Sequence, residues 1–319
     1  AHAVRDLPEP ARRPMAVAAS GGGGGSGSGG GEVPTSVSVR RLRRLSLTCA
    51  DAGRLAEFYQ RAFGCRQLHA GRRSGAQFEQ LMGVSGGAHS VLLGLGSESI
   101  ELLQFDQAGD PYPRPGAASD LLFQHFAIVV TDMTRAYERL CTLSGWSAIS
   151  QDGPQRLPAS SGAVVAYKFR DPEGHPLELL EFAPPATPPR WRSAPAGEPC
   201  AGIDHSAICV ADTSRSVAFY EALGLRRATQ TLNSGPEQQR LDAVMATNVE
   251  VTALAPQEPG PHVELLCYRP AGRGAASALQ SNDIAATRLV FERSAGAPAA
   301  AVLPPRRVLD PDHHQLVIE

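Results

Sequence analysis

His125-Phe126-Ala127-Ile128-Val129-Val130-Thr131-Asp132 and His205-Ser206-Ala207-Ile208-Cys209-Val210-Ala211-Asp212 share one pattern, His-x-Ala-Ile-x-Val-x-Asp. A short apolar run closed by an aspartate predicts a strand, then a helix whose first N–H groups the carboxylate accepts. The following residues agree. Met133, Ala136, Tyr137, Leu140 and Cys141 recur at helical spacing after the first copy; Val217, Tyr220 and Leu223 do so after the second, with Gly224 as a stop. An earlier copy opens with Leu45-Ser46-Leu47-Thr48-Cys49 and Asp51, then sets Leu55, Phe58, Tyr59, Ala62 and Phe63 on one helical face before Gly64.

Alternating runs follow each helix: Ser90–Leu95 and Ile100–Phe105, Val164–Phe169 and Leu177–Phe182, Val249–Leu254 and His262–Leu266. A strand, a helix and two or three hairpin-linked strands make a βαβββ unit, and a repeated unit decides the fold class. The class expected is α+β, built from tandem βαβββ modules in two open-barrel domains. The fourth unit is short. Thr287–Phe291 and Leu316–Ile318 stand as its first and last strands, with a Pro- and Ala-rich stretch between them that leaves no room for a full helix, so the second domain is expected to be degenerate.

Composition bounds the rest. The 319 residues carry 42% hydrophobic and 19% charged side chains, with 30 basic against 32 acidic, a formal charge of -2. That is ordinary globular material with no basic excess to suggest a nucleic-acid partner. The one basic run, Arg40, Arg41, Arg43 and Arg44, is expected to be a solvated entry to a strand. Six cysteines without a C-x-x-C pair suggest reduced thiols rather than disulfides or a zinc cluster. No apolar run reaches the roughly 20 residues of a membrane span, and no secretory signal opens the chain, so no membrane partner and a cytoplasmic location are expected. The Gly/Ser-rich stretch places a disordered tail at 1–38, with Met15 as a candidate first residue. The run Pro184-Pro185-Ala186-Thr187-Pro188-Pro189 suggests a stiff linker at 185–197 between a first domain at 40–184 (two modules) and a second at 198–319.

The His-x-Ala-Ile-x-Val-x-Asp openings resemble the glyoxalase/bleomycin-resistance/extradiol-dioxygenase (vicinal oxygen chelate) superfamily. So do Phe58-Tyr59…Phe63-Gly64, Phe219-Tyr220…Leu223-Gly224 and the closing Asp171-Pro172-Glu173-Gly174-His175-Pro176-Leu177-Glu178. The resemblance covers roughly 40–319. It implies paired modules around a cleft, with metal ligands on the first and last strands of each module. Carried onto this sequence, it offers His125, Glu178 and Glu101 as ligands in the first domain, with Arg44 at the remaining position. Arginine stays protonated and cannot coordinate a cation, so Arg44 is expected either to pair with Glu101 or to hold a substrate anion. The second domain offers His205 and Glu264 as a weaker relic, with Thr287 or Arg288 and Val317 at the other two positions. His175, His313 and His314 are expected in exposed turns, and Tyr59, Tyr137 and Tyr220 in the core. No catalytic residue is assigned. The function implied is a small-molecule-binding, metal-dependent enzyme of lyase, isomerase or dioxygenase type. It would use a divalent Fe, Mn, Zn or Ni ion as a Lewis acid. The alternative is a metal-free protein that binds or sequesters a small ligand without catalysis.

Overall fold

Each predicted aspartate caps its helix: Asp51, Asp132 and Asp212 accept from the backbone N–H of Arg54, Arg135 and Arg215 at 2.9–3.0 Å. The first helix stops at Gly64, where φ of 73° requires the left-handed region and the N–H returns to Gln60 O. The computed structural model describes residues 37–319 except 114–115, 185–186, 193–196, 247, 273–278 and 295–303. The expected tail at 1–38 therefore lies almost wholly outside the described residues.

The first unit is β1 (Val39–Thr48), α1 (Ala52–Phe63), β2 (Arg66–Arg73), α2 (Ala76–Met82), β3 (Ala88–Leu95) and β4 (Glu98–Phe105). The second is β5 (Gln124–Val130), α3 (Met133–Cys141), β6 (Ser147–Ala148), β7 (Gln155–Arg156), β8 (Val165–Arg170) and β9 (Pro176–Glu181). The third is β10 (Cys200–Cys209), α4 (Thr213–Ala222), β11 (Arg226–Asn233), α5 (Pro236–Asp242), β12 (Asn248–Ala255) and β13 (His262–Arg269). The fourth is β14 (Arg288–Arg293), β15 (Arg306–Leu309) and β16 (Gln315–Ile318), with no helix among its described residues. The short helices α2 and α5 were not foreseen, because seven residues give too few turns for a periodic signal.

Two open sheets result, ordered β15-β16-β14-β1-β4-β3-β2 and β11-β12-β13-β10-β5-β9-β8-β6, with β7 beside β8. This corrects the expected division at 40–184 and 198–319. The first unit shares its sheet with the fourth, through antiparallel β1 and β14. The second shares its sheet with the third, through antiparallel β5 and β10. The first and second units meet instead through a helix and a turn. Tyr59 donates to Asp171 Oδ2 (3.1 Å), Glu173 accepts from the N–H of Ala50 and Asp51, and His175 Nε2 reaches Thr48 O at 2.8 Å. The third and fourth units repeat the latch: Tyr220 donates to Asp310 (3.1 Å), Asp312 accepts from Ala211, and His314 Nε2 reaches Cys209 O at 2.8 Å. His175 and His314 are thus buried, against expectation, because each satisfies a strand-end carbonyl that would otherwise lack a donor; His313 is exposed.

One core runs through all four units, holding Tyr59, Phe63, Phe126, Phe169, Ile208, Tyr220, Leu289 and Phe291. Side chains buried to this degree contribute roughly 1.5–3 kcal/mol each, which binds the two sheets into one body. All described residues fall within one compact unit. The described part of the Pro-rich segment is docked rather than free: Trp191 packs on Val129 and Ala201, and its indole donates to Asp204 at 3.2 Å. The cysteines are free thiols, five of them buried, with Cys141 exposed. Among the described residues no helix is long and apolar enough to cross a membrane.

Candidate metal centre

Strand register decides which side chains meet. In the second and third units Ala127 lies opposite both Glu178 on β9 and His205 on β10, while Ala207 lies opposite both Glu264 on β13 and His125 on β5. Residues two apart on a strand share a face. His125, Glu178, His205 and Glu264 therefore all project from one face of the sheet.

The distances bear this out. His125 Nε2 is 2.8 Å from Glu178 Oε2, and the His125 and His205 rings are 5.8 Å apart. His205 Nε2 stands 3.7 Å from Glu178 Oε2 and 3.5 Å from Glu264 Oε2, too far for a hydrogen bond to either. It is buried and has no hydrogen-bond partner, and neither has His125 Nδ1. Outside this set, His262 Nε2 reaches Glu264 Oε1 at 3.3 Å, and Asp204 Oδ2 meets His205 Nδ1 at 3.2 Å. Asp204 reaches His205 because β10 carries one extra residue between Ile203 and His205, which turns the Asp204 carboxylate toward its neighbour.

The donor set fits a divalent ion. Donors about 2.1 Å from one ion sit about 3.0–3.4 Å apart, and imidazole with carboxylate suits Fe, Mn, Zn or Ni. The ligand atoms of His125, Glu178 and His205 all lie within 4.8 Å of one another. The orphaned Nε2 of His205, aimed between two carboxylates, is what a ligand nitrogen looks like when no other group has claimed it. Asp204 acts on the far nitrogen of His205, orienting the ring.

Electrostatics favour an anionic site. Burial alone would raise the pKa of Glu178, but the Lys168 ammonium, the hydrogen bond from His125 and the nearby His205 ring hold it well below the usual carboxylate range. Glu264 is also lowered, burial being outweighed by His205 and His262. Lys168, directly opposite Glu178 in the β8–β9 hairpin, is buried and binds Asp242 at 2.6 Å; Asp242 also accepts from Gln238 and Tyr268. Leu157, Leu180, Leu241, Val249 and Leu266 join these groups in lining a cavity of about 310 Å³.

The structure splits the expected ligand set. Glu101 is not with His125; it lies on the other sheet, bonded by Arg44 at 3.2 Å and Arg73 at 2.8 Å. Arg44 also gives two bonds to Glu319, at 2.8 and 2.6 Å, so the expected Arg44–Glu101 pair is present and no guanidinium edge of Arg44 is left for a substrate anion. His205 and Glu264, expected as a relic of a separate domain, stand beside His125 and Glu178. The equivalent positions on the other sheet are Arg44, Glu101, Arg288 and Val317, by the same register. Lys168, Asp204, Asp242, His262 and Tyr268 were missed. Only His262 had a sequence signal, two residues before Glu264 and so on the same strand face.

Residues 41–179 match the model of the Glyoxalase/Bleomycin resistance protein/Dioxygenase superfamily. No curated protein sequence matches the chain. Among solved structures, glyoxalase I from Zea mays is similar over 88% of this chain and 92% of its own, with a TM-score of 0.53 at 18% identity. A "putative dioxygenase" from Bacillus subtilis subsp. subtilis str. 168 is similar over 89% and 86%, with a TM-score of 0.52 at 12% identity. At such identities the likeness is one of fold. Residues 41–179 thus match that superfamily's model, and the chain as a whole shares the fold of these two structures.

Proposed function

We propose that the chain is a metal-dependent enzyme acting on a small organic molecule in the cavity between the second and third units, with His125, Glu178, His205 and Glu264 as ligands. The observation that carries this reading is the unclaimed, buried His205 Nε2 facing two carboxylates. A divalent ion bound there supplies a Lewis acid that polarises substrate oxygens, the chemistry of lyases, isomerases and dioxygenases. The chain supplies the rest. Glu264 has the most exposed side chain of the four, 22% against 2–8%, so its carboxylate is the one placed to exchange a proton with a ligand. His262 Nε2 steadies the Glu264 Oε1 atom. Apolar Leu180, Leu241 and Leu266 exclude water, and the Lys168 ammonium adds positive charge toward developing negative charge.

A metal-free binding protein is the second reading. It is favoured by Lys168, a buried cation that already answers the Glu178 charge. Metal analysis of purified protein, followed by titration calorimetry with Mn, Ni, Zn and Fe(II), separates the two. We expect one tight site per chain, lost in His205→Ala. Absence of binding in the wild-type protein would overturn the metalloenzyme reading and leave the second.

A further inference from the structure

The concave face of the other sheet is filled. Phe78, Leu81 and Met82 of α2 pack with Leu103, Val290 and Val317 where the metal ligands stand on the first sheet. Filling the interior moves open space outward, to a cleft of about 610 Å³ between α2 and β15, lined by Arg72, Arg73, Phe78, Leu81, Arg306 and Arg307. The charges there do not balance. Asp106 answers Arg72, and Glu101 takes one bond from Arg73 while also serving Arg44. Arg307 gives one bond to a neutral hydroxyl, Ser281 Oγ at 3.0 Å. Among the described residues no carboxylate lies within 4.0 Å of Arg306 or Arg307. Behind them Arg288, fully buried, bonds Thr48 Oγ1 (2.9 Å), Ser281 O (2.8 Å) and Ser46 Oγ (3.4 Å), with no carboxylate within 4.0 Å among the described residues. Burial lowers its pKa to about 10, and Arg73 and Arg307 push the same way against Glu101. The Arg73 guanidinium carbon lies 5.4 Å from the centre of the Phe78 ring, a cation–π contact at the cleft wall.

Half-buried Arg307 and exposed Arg306, with no described carboxylate within 4.0 Å, face open space beside Arg73, an arrangement that suits planar bidentate recognition of an oxyanion. We propose that this cleft is an anion-binding site, metal-free and independent of the His/Glu centre. It takes the doubly charged oxyanion head of a small ligand, a phosphate or a dicarboxylate, on Arg73, Arg306 and Arg307. Nothing in the proposal depends on metal at the other sheet.

Inorganic phosphate and succinate, each titrated against the full chain at ionic strength matched with sodium chloride, test it by calorimetry and thermal shift. We expect saturable binding of at least one probe, weakened tenfold or more in Arg307→Gln and in Arg306→Gln, and unchanged in His125→Ala. Preference for phosphate assigns a phosphorylated ligand, and preference for succinate a dicarboxylate. No stabilisation beyond that of matched chloride overturns the site. So does affinity unchanged in both arginine variants, or lost in His125→Ala, which would move the anion to the metal ligands.

Discussion

The two sheets are built on one plan, and they differ most at four equivalent positions. His125, Glu178, His205 and Glu264 face a cavity on one sheet; Arg44, Glu101, Arg288 and Val317 take the same register on the other, where α2 fills the space. On the first sheet two imidazoles and two carboxylates gather a surplus of acceptors that a cation would settle. On the second, two arginines replace the imidazoles and apolar packing replaces a carboxylate, leaving a surplus of donors. The same backbone can therefore favour opposite charges, because the strand pairing fixes where side chains point and leaves their chemistry open.

The sharpest way to break this comparison is to remove one imidazole from each unit. His125→Ala and His205→Ala should each lower metal affinity by a factor of 10³ or more, since both nitrogens face the same carboxylate. Arg44→His should leave it unchanged, because Arg44 sits on the other sheet with Glu101 and Glu319. Calorimetric titration of the three variants decides it. Loss in His125→Ala with full binding in His205→Ala would show that the ligands do not act across the β5–β10 pair.

A second comparison concerns what each carboxylate supports. Glu101 holds two guanidiniums, and burial, which would raise its pKa, is outweighed by Arg44 and Arg73. Glu101→Gln takes the carboxylate from Arg73 and leaves Arg44 with Glu319 alone, and should cost about 3 kcal/mol in denaturant unfolding. In metal-free protein Glu264→Gln should change stability by less than about 1 kcal/mol, since Glu178 and Asp204 still face His205. Equal losses would mean that the first sheet's carboxylates are structural too.

Smaller still is the effect expected at the twin latches. Tyr59→Phe and Tyr220→Phe each remove one donor from a buried aspartate and should each cost about 1–2 kcal/mol, nearly alike if the two halves are true repeats. A several-fold difference between them, measured by chemical denaturation, would show that the latches carry unequal loads.

Much of this fold was legible in the sequence because it is local. Alternation, the Asp caps and the helical spacing behind Asp51, Asp132 and Asp212 all act within about a dozen residues, and each appears where expected. Pairing of the units was not legible. Which of two similar strands β5 lies beside is set by contacts 70 or more residues away, and local pattern carries no term for that. The site inherited the error: His125, Glu178, His205 and Glu264 were all singled out, but divided between two clefts. Arg44 with Glu101 was legible as a pair because opposite charges at equivalent positions of one unit must meet. Lys168 and Asp242 were not, since nothing in a lone lysine or aspartate marks it as buried.

The last comparison sets the two latch histidines against each other, and the effect is the smallest. His175 carries a carboxylate on its ring, Asp171 Oδ2 at 2.8 Å from Nδ1, while its Nε2 faces Thr48 O and Ile284 O. Tyr59, Glu173 and the edge of Tyr112 complete its surroundings. Burial lowers its pKa, but Asp171, the Thr48 carbonyl and Glu173 outweigh it, and the folded value lies above the ordinary 6.5. A raised folded pKa contributes stability that is fully present below pH 6.5 and is lost as pH climbs through the folded value. From this one group the slope is no steeper than about 1.4 kcal/mol per pH unit. Among the described residues no side-chain acceptor meets the His314 ring in the same way; its backbone N–H reaches Asp310, at 2.8 Å. Unfolding free energy measured from pH 6 to 9 should therefore fall in the wild type and fall less steeply in His175→Gln, where His205, also raised, still contributes. A slope unchanged in His175→Gln would assign the titration to other groups.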